Sequence, residues 1–338
     1  MTSSPIGLGL IGCGWAAGEI VRASTRLPTL RILAAYDTDR ARAEALASKA
    51  AARVTDSVDA TIADPEISTI YVGVPHALIA PIVRRALDAG KHILAEKPLS
   101  LDPAESIQLG EIADSKGLKL AVFFELRRAS TVAAAKRIVD NGEIGVPRLI
   151  RMRTIIDKRA DYWGLPGSPN WRASREMAGG GVLLMNNIHQ LDTLRYVTGL
   201  DYVSATGEIA TFSAAADVED AGSATLRLSN GAILNVVASA HSPGANHEET
   251  IEIDGSEGRL DIPDPFGISP LRLYRSETKV WNEIAVDRVD SHLKMLQSFA
   301  ESILKDSEVP ASAKDAAAAV AAVQAIYRSA AERRTVDI

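Results

Sequence analysis

Residues 6–17 constrain the fold more than any other stretch of the chain. Ile6-Gly7-Leu8-Gly9-Leu10-Ile11 reads as a short apolar strand that runs directly into Gly12-Cys13-Gly14-Trp15-Ala16-Ala17, and a helical pattern follows over 19–27. Each small residue has a task in a strand, Gly-x-Gly-x-x-Ala turn and helix. Gly12 makes the tight turn, Gly14 lets the backbone approach a pyrophosphate, and Ala17 lets the helix pack closely on the strand. The helix amino terminus then faces the anion. A second strand, 31–36, ends at Asp37, 20 residues past Ala17, where a carboxylate accepts hydrogen bonds from an adenosine ribose. Asp37 repels a 2'-phosphate, whereas Arg40 and Arg42 stand near enough to receive one. The sequence therefore favours NAD and leaves NADP open, with Gly12, Gly14, Trp15, Ala16, Asp37 and Arg40 as cofactor-binding candidates.

The alternation continues. The pattern predicts a helix over 39–50, a strand over 67–74 ending at Pro75-His76, and a helix over 79–89 stopped by Gly90. A strand over 92–95 leads into Glu96-Lys97-Pro98, then a helix over 103–116 and a strand over 118–124. Strands separated by helices of this length give an α/β fold with a doubly wound, Rossmann-type parallel sheet. Ligands of such sheets bind outside the carboxyl ends of the strands. That places Pro75, His76, Glu96 and Lys97 on the same edge as the glycine turn.

After Phe124 the texture changes. A helix over 131–141 and an alternating strand over 148–157 precede a region that reads mostly as strands from Tyr202 onward. Asn230-Gly231 lies between strands over 223–228 and 232–240, a strong hairpin signal. Gly255-Ser256-Glu257-Gly258 joins strands over 250–253 and 259–262, and a third hairpin turns around Ser276-Glu277-Thr278. At 338 residues the chain suits two domains. They are predicted as a dinucleotide-binding domain over 1–124 and an α+β domain over 125–338 with a mainly antiparallel open sheet. The alanine-rich helix over 313–333 is a close-packing element, expected to pack back on the first domain. One face of the sheet needs a cover, from helices or a second subunit, so a homo-oligomer, dimer or tetramer, is expected through it.

With 46% apolar and 24% charged residues the composition is that of an ordinary globular protein. A net charge of -6 without a Lys/Arg cluster gives no footprint for nucleic acid. Cys13 is the only cysteine, which excludes an intramolecular disulfide and a cysteine-rich metal site and fits a reducing compartment. Residues 1–5 lack the positive charge of a signal peptide, and no apolar stretch approaches membrane-spanning length. The expectation is a cytoplasmic protein without a membrane or nucleic-acid partner.

Gly179-Gly180-Gly181 opens a helix that runs to Tyr196. Three glycines let the backbone pass close to something. Within the helix Met185, His189 and Asp192 share a face, with Asn186 beside them. Histidine suits proton transfer because its ordinary pKa lies near neutrality, although an isolated histidine is more often a satisfied core residue. Trp163, Trp171 and Arg172 precede the glycines, and their aromatic faces either stack on a sugar ring or pack a long loop. His241 and His247 flank a loop, and with no third ligand they argue against a metal.

The glycine turn, Ala89-Gly90-Lys91-His92 leading to Glu96-Lys97-Pro98, and Gly179-Gly180-Gly181 followed by His189 and Asp192 resemble the Gfo/Idh/MocA family, the glucose-fructose oxidoreductase and inositol dehydrogenase type of nicotinamide enzymes. The resemblance spans nearly the whole chain. It implies hydride transfer between NAD(P) and a secondary hydroxyl or ketone of a sugar, cyclitol or related polyol, with Lys97 and His189 as the catalytic pair and Pro75 near the nicotinamide. The bond to Pro98 is often cis in that family. Three positions depart from its pattern: His76 stands where asparagine is common, Arg128 follows Arg127 in place of phenylalanine, and Met185 occupies the place of an aspartate that binds a substrate hydroxyl. Asn186, Asn187 or Asp192 then substitutes for that aspartate, or the substrate presents a less polar edge. Two other readings share the fold: an enzyme using tightly held NAD for glycosidic cleavage or redox-neutral exchange, and a non-catalytic dinucleotide-binding sensor, against which the retention of Lys97 and His189 argues.

Overall fold

The computed structural model describes residues 5–158, 160–165, 168–245, 247–266 and 269–338. Residues 1–4, read above for a signal peptide, and Asn246 of the loop between His241 and His247 lie outside the described residues. The chain divides into two compact units, residues 1–125 with 290–317, and 126–289 with 318–338.

In the first unit, strands β1 (Ile6–Ile11), β2 (Leu30–Tyr36), β3 (Arg53–Val54), β4 (Thr69–Val72), β5 (His92–Ala95) and β6 (Leu120–Val122) form one sheet in the order β3-β2-β1-β4-β5-β6. Every pairing is parallel. All residues of β1, β4 and β6 are buried, as continuous apolar strands covered on both faces must be. The order reverses between β1 and β4, and β1, β2, β4 and β5 bring Gly12, Asp37, Gly73 and Glu96 to one edge.

Helices α1 (Trp15–Ser24), α2 (Arg40–Ala50), α3 (Val58–Ala63), α4 (His76–Asp88) and α5 (Pro103–Ser115) connect the strands. α1 and α4 start at positions 15 and 76, earlier than 19 and 79, because Gly14 and Pro75 serve as their N-caps. Side-chain capping sets α2 and α5: Asp39 accepts from the Ala41 and Arg42 amides, and Asp102 from Ala104, with Pro103 at the first helical position.

A helix absent from the sequence reading, here α10 (Ser291–Leu304), belongs to this unit. It packs on α1, and its N-cap Asp290 accepts the Leu293 amide while meeting Arg22 and Arg26 of α1. Hydrogen bonding to Arg22 holds the Asp290 carboxyl at about 2. Further on, the Val122 amide donates to the Ala311 carbonyl. The division expected after residue 124 does not account for 290–317, which cluster with the first unit.

The second unit is built on a nine-stranded sheet. Its strands are β7 (Pro147–Ile155), β10 (Tyr202–Ala210), β11 (Ala221–Leu228), β12 (Ile233–Ser239), β13 (Glu248–Gly255), β14 (Gly258–Ile262), β15 (Leu271–Arg275), β16 (Val280–Ile284) and β17 (Val336–Asp337). Their order is β16-β15-β14-β13-β7-β12-β11-β10-β17. All pairs are antiparallel except β7 with β12. The three hairpins fall at Asn230-Gly231, Ser256-Glu257 and the turn before Lys279.

Side chains along β11 and β12 alternate between buried and exposed, as a sheet with one packed face requires. Helices α6 (Ser130–Asp140) and α9 (Ile188–Thr198) pack on each other and on β14 and β13. The opposite face carries a charged network in which Arg151 meets Glu252 and Asp254, and Arg259 meets Glu252 and Asp261. The short pieces α7 (Ala160–Trp163), β8 (Gly164–Leu165), β9 (Ser168–Pro169) and α8 (Arg175–Ala178) lead to the glycine run, and α11 (Ala313–Glu332) ends in β17. Among the described residues no helix is long and apolar enough to cross a membrane.

Candidate active site

Gly12 and Gly14 are glycines for different reasons. Gly12 has φ +92°, and a Cβ there would lie 2.2 Å from the Gly73 carbonyl oxygen, so turn and packing both exclude a side chain. Gly14 has φ -75° and ψ -169°, an ordinary extended backbone, and a Cβ there would meet nothing within 4 Å. Neither backbone nor protein packing asks for glycine at 14. The open space lies over the start of α1, whose amino terminus no side chain caps. A pyrophosphate fits that combination of clearance and free amides. Trp15 is 76% exposed beside it and meets His292 edge-on, Ala16 is half-buried, and Ala17 is buried against the sheet.

Asp37 is fixed by two backbone amides, Oδ2 accepting from Cys13 at 2.8 Å and Oδ1 from Asp39 at 2.9 Å. Its carboxylate is thus tied to the turn. The Cys13 thiol is buried, and burial with Asp37 nearby pushes it up to about 12, so it stays protonated. Arg40 is engaged by Glu44 and Asp56, both at 3.0 Å, and Arg42 by Asp39 at 3.1 Å. The two arginines able to receive a 2'-phosphate are occupied by carboxylates.

At the end of β4, Pro75 caps α4 and His76 is its buried first residue. At the end of β5, Glu96 accepts a hydrogen bond from the Tyr71 hydroxyl at 3.0 Å. Burial pushes the Glu96 carboxyl up, opposed by the Lys97 ammonium and the Tyr71 hydroxyl. Lys97 follows, half-buried, and its bond to Pro98 is cis. Lys97 and Asp37 therefore close two strands that end at the edge carrying Gly12.

In the second unit the close approach at the triple glycine is to protein. A Cβ at Gly181 would lie 1.6 Å from the Glu219 carbonyl oxygen, and one at Gly180 2.1 Å from the Tyr327 hydroxyl. The Glu219 carboxylate accepts from the Gly181 amide at 2.7 Å, the Leu183 amide at 3.0 Å and the Tyr327 hydroxyl at 2.8 Å. Burial pushes this carboxyl up, and the three donors oppose the shift. The glycines and Glu219 set where the next helix begins.

That helix starts with a π turn over Leu183–Asn187 before α9. Ordinary 3.6-residue spacing put Met185, His189 and Asp192 on one face. Instead, between 183 and 194 only Asn186 and His189 are partly exposed, and Met185 and Asp192 are buried. The π turn changes which side chains face out, as single π turns at functional sites often do. Asp192 is bound by Arg127, Nε to Oδ2 at 2.8 Å and an Nη to Oδ1 at 2.6 Å, with both side chains buried. Removing one member of such a pair generally costs roughly 3–5 kcal/mol. Its carboxylate, expected from the sequence to bind substrate, is engaged by Arg127 and holds α9 in place. Asn187 donates to Thr154 of β7 at 3.0 Å and Gln190 to Glu249 of β13 at 2.6 Å, tying the helix to the sheet.

Trp163, expected either to wall a pocket or to pack a loop, is fully buried and meets Tyr162 edge-on at 4.9 Å, as a ring that packs the loop does. Trp171 remains half-buried. Met185 has a partner that the sequence did not reveal: the Tyr162 hydroxyl lies 3.3 Å from its sulfur. No motif marks Tyr162, and only the fold brings it to the helix. His247 pairs with Glu249 at 2.7 Å, and His241 lies 4.0 Å from Asp220. Among the described residues no group of three or more His, Cys, Asp or Glu could hold a metal ion.

The six-stranded parallel sheet, the cleared helix start at Gly14 and the tethered carboxylate of Asp37 define a dinucleotide-binding protein. Residues 6–124 match a family profile described as "Oxidoreductase family, NAD-binding Rossmann fold", and 132–261 match the "GFO/IDH/MocA C-terminal domain". The chain belongs to the Gfo/Idh/MocA family and is an NAD(P)-dependent oxidoreductase. It is 30% identical over 258 residues to levoglucosan dehydrogenase of Pseudarthrobacter phenanthrenivorans, covering 69% of this chain and 65% of the relative. It is 27% identical to inositol 2-dehydrogenase of Rhizobium meliloti, covering 98% of each. Among solved structures, GenD2 from gentamicin A biosynthesis in complex with NAD superposes with a TM-score of 0.87 at 26% identity, covering 100% of this chain and 97% of that one. A levoglucosan dehydrogenase complex with NADH and levoglucosan gives 0.89 at 24% identity, covering 99% of each, and shares the fold.

Proposed function

We propose that the protein transfers a hydride between nicotinamide and a secondary hydroxyl or ketone of a sugar, cyclitol or related polyol, with Lys97 and His189 as the proton-handling pair. The observation that carries this reading is where the two side chains lie. Lys97 follows β5 at the edge that carries the cofactor turn, and His189 is, with Asn186, one of the two partly exposed side chains between 183 and 194. Bound NAD supplies the hydride acceptor. In the oxidative direction an imidazole nitrogen of His189 takes the hydroxyl proton, and the Lys97 ammonium stabilises negative charge developing on that oxygen. Asn186 hydrogen-bonds a neighbouring hydroxyl, its Oδ1 having no partner among the described residues. Relatives named as levoglucosan dehydrogenase and inositol 2-dehydrogenase support the substrate class.

A screen of sugars, cyclitols and sugar lactones with NAD and NADP separately, followed by nicotinamide absorbance, tests the proposal. Turnover is expected with at least one polyol, and kcat/KM for NAD is expected to exceed that for NADP at least tenfold, about 1.4 kcal/mol. The cause is Asp37, held in place by two amides while Arg40 and Arg42 are committed to carboxylates. No turnover across the panel would refute the first statement, and equal use of NADP the second.

We further propose a cytoplasmic homo-oligomer, a dimer or tetramer formed through the sheet face opposite α6 and α9. The single cysteine suits a reducing compartment. On the sheet, exposed Val237 and Trp281 accompany the Arg151 and Arg259 network, a mixture of apolar and paired charged groups suited to a subunit interface. Sedimentation equilibrium is expected to give a mass of at least two chains at micromolar concentration, and a monomer there would contradict it.

A further inference from the structure

Arg172 is a half-buried guanidinium held by aromatic rings. Within the second unit Arg151, Arg195, Arg259 and Arg275 each meet a carboxylate. Among the described residues Arg172 forms no ion pair, and its charge lies over two rings instead, 4.7 Å from the centroid of Trp171 and 5.3 Å from that of Tyr162. A second cation, the Lys158 ammonium, lies 4.5 Å from the Tyr162 centroid. The Tyr162 hydroxyl reaches the Met185 sulfur, one turn before His189. In a chain with net charge -6, this helix end therefore carries two cations over one aromatic ring and an apolar thioether.

Aromatic faces hold a guanidinium in place without neutralising it. A half-buried guanidinium that two rings and the Tyr162 hydroxyl hold, with no carboxylate among the described residues to neutralise it, keeps its charge for an anion. Its rigid fork of donors suits a planar or tetrahedral oxyanion.

We infer that the substrate is an acidic sugar or cyclitol, whose carboxylate or phosphate is bound by Arg172 between Trp171 and Tyr162 while its reacting hydroxyl lies toward His189. The inference rests on the oxidoreductase reading above and narrows its substrate class. Met185 fits it, since a carboxylate at that position would repel the same group.

Matched pairs test it: D-glucuronate against D-glucose, D-galacturonate against D-galactose, and glucose 6-phosphate to separate phosphate from carboxylate. Two readouts are used on the NADH-loaded protein and the NAD-saturated enzyme respectively, tryptophan fluorescence for binding and nicotinamide absorbance for turnover. The acidic member of at least one pair is expected to bind at least tenfold more tightly. Arg172→Met is expected to reduce that preference at least tenfold, chiefly through Kd and KM, with Arg172→Lys intermediate and both variants checked for folding by circular dichroism. An acid that binds without being oxidised would support Arg172 as an oxyanion site and count against the redox reading. Oxidation of neutral sugars with no preference for acids, a preference unchanged in both variants, or no binding of any acid would overturn the inference.

Discussion

Lys97→Met is expected to lower kcat about a thousandfold while NAD affinity stays within about threefold of the native value. The size follows from the role. A positioned cation facing a developing oxyanion contributes about 10²–10³ in rate, and it also helps to orient the reacting hydroxyl. Retained binding follows from where the cofactor is held, since the Gly12 turn, the start of α1 and Asp37 all lie on other strands of the sheet. Methionine keeps the length and apolar stem of lysine, so the half-buried site stays filled. Calorimetric titration with NAD and steady-state rates on the best polyol measure the two quantities separately. A folded variant that no longer bound NAD would show that Lys97 serves the cofactor, and one with near-native turnover would remove it from the chemistry.

The first unit was legible in the sequence because buried parallel strands are short apolar runs, and their turns need particular residues. Gly12, Asp37, Pro75 and Lys97 were placed on one edge by strand order alone, and all four follow strands of the same parallel sheet. Helix starts were less accurate, since Gly14 and Pro75 cap α1 and α4 without the side-chain signal that marks Asp39 or Asp102. The helix at 291–304 was missed, and its membership of the first unit depends on Asp290 meeting Arg22 and Arg26, pairs separated by more than 260 positions in the chain. In the second unit the motif drew attention to His189, whose role is proposed, whereas the burial of Met185 and Asp192 was not foreseen because a π turn breaks the 3.6-residue spacing. The commitment of Asp192 to Arg127 and the approach of Tyr162 to Met185 are tertiary contacts that no local pattern encodes.

The glycines separate ligand space from packing space, and two substitutions make that difference measurable. Gly14→Val is expected to leave the protein folded, with a melting temperature lowered by only a few degrees, because valine readily adopts φ -75° and its Cβ meets no atom within 4 Å. Its NAD affinity is expected to fall at least a hundredfold, since the branched side chain occupies the space through which a pyrophosphate reaches the amides of α1. Gly181→Ala, a smaller change, is expected to cost about 3 kcal/mol or more of stability. The added methyl would lie 1.6 Å from the Glu219 carbonyl oxygen, and backbone at both ends of the contact leaves no flexible side chain to yield. Moving that backbone would also disturb the Glu219 carboxylate that receives the Gly181 and Leu183 amides and sets the start of the His189 helix. Thermal unfolding with and without NAD distinguishes the two cases. Gly14→Val should lose the stabilisation that NAD gives the native protein, while Gly181→Ala should melt early in either condition. Native NAD affinity in Gly14→Val would mean that the pyrophosphate does not pass over Gly14, and the space there would need another occupant.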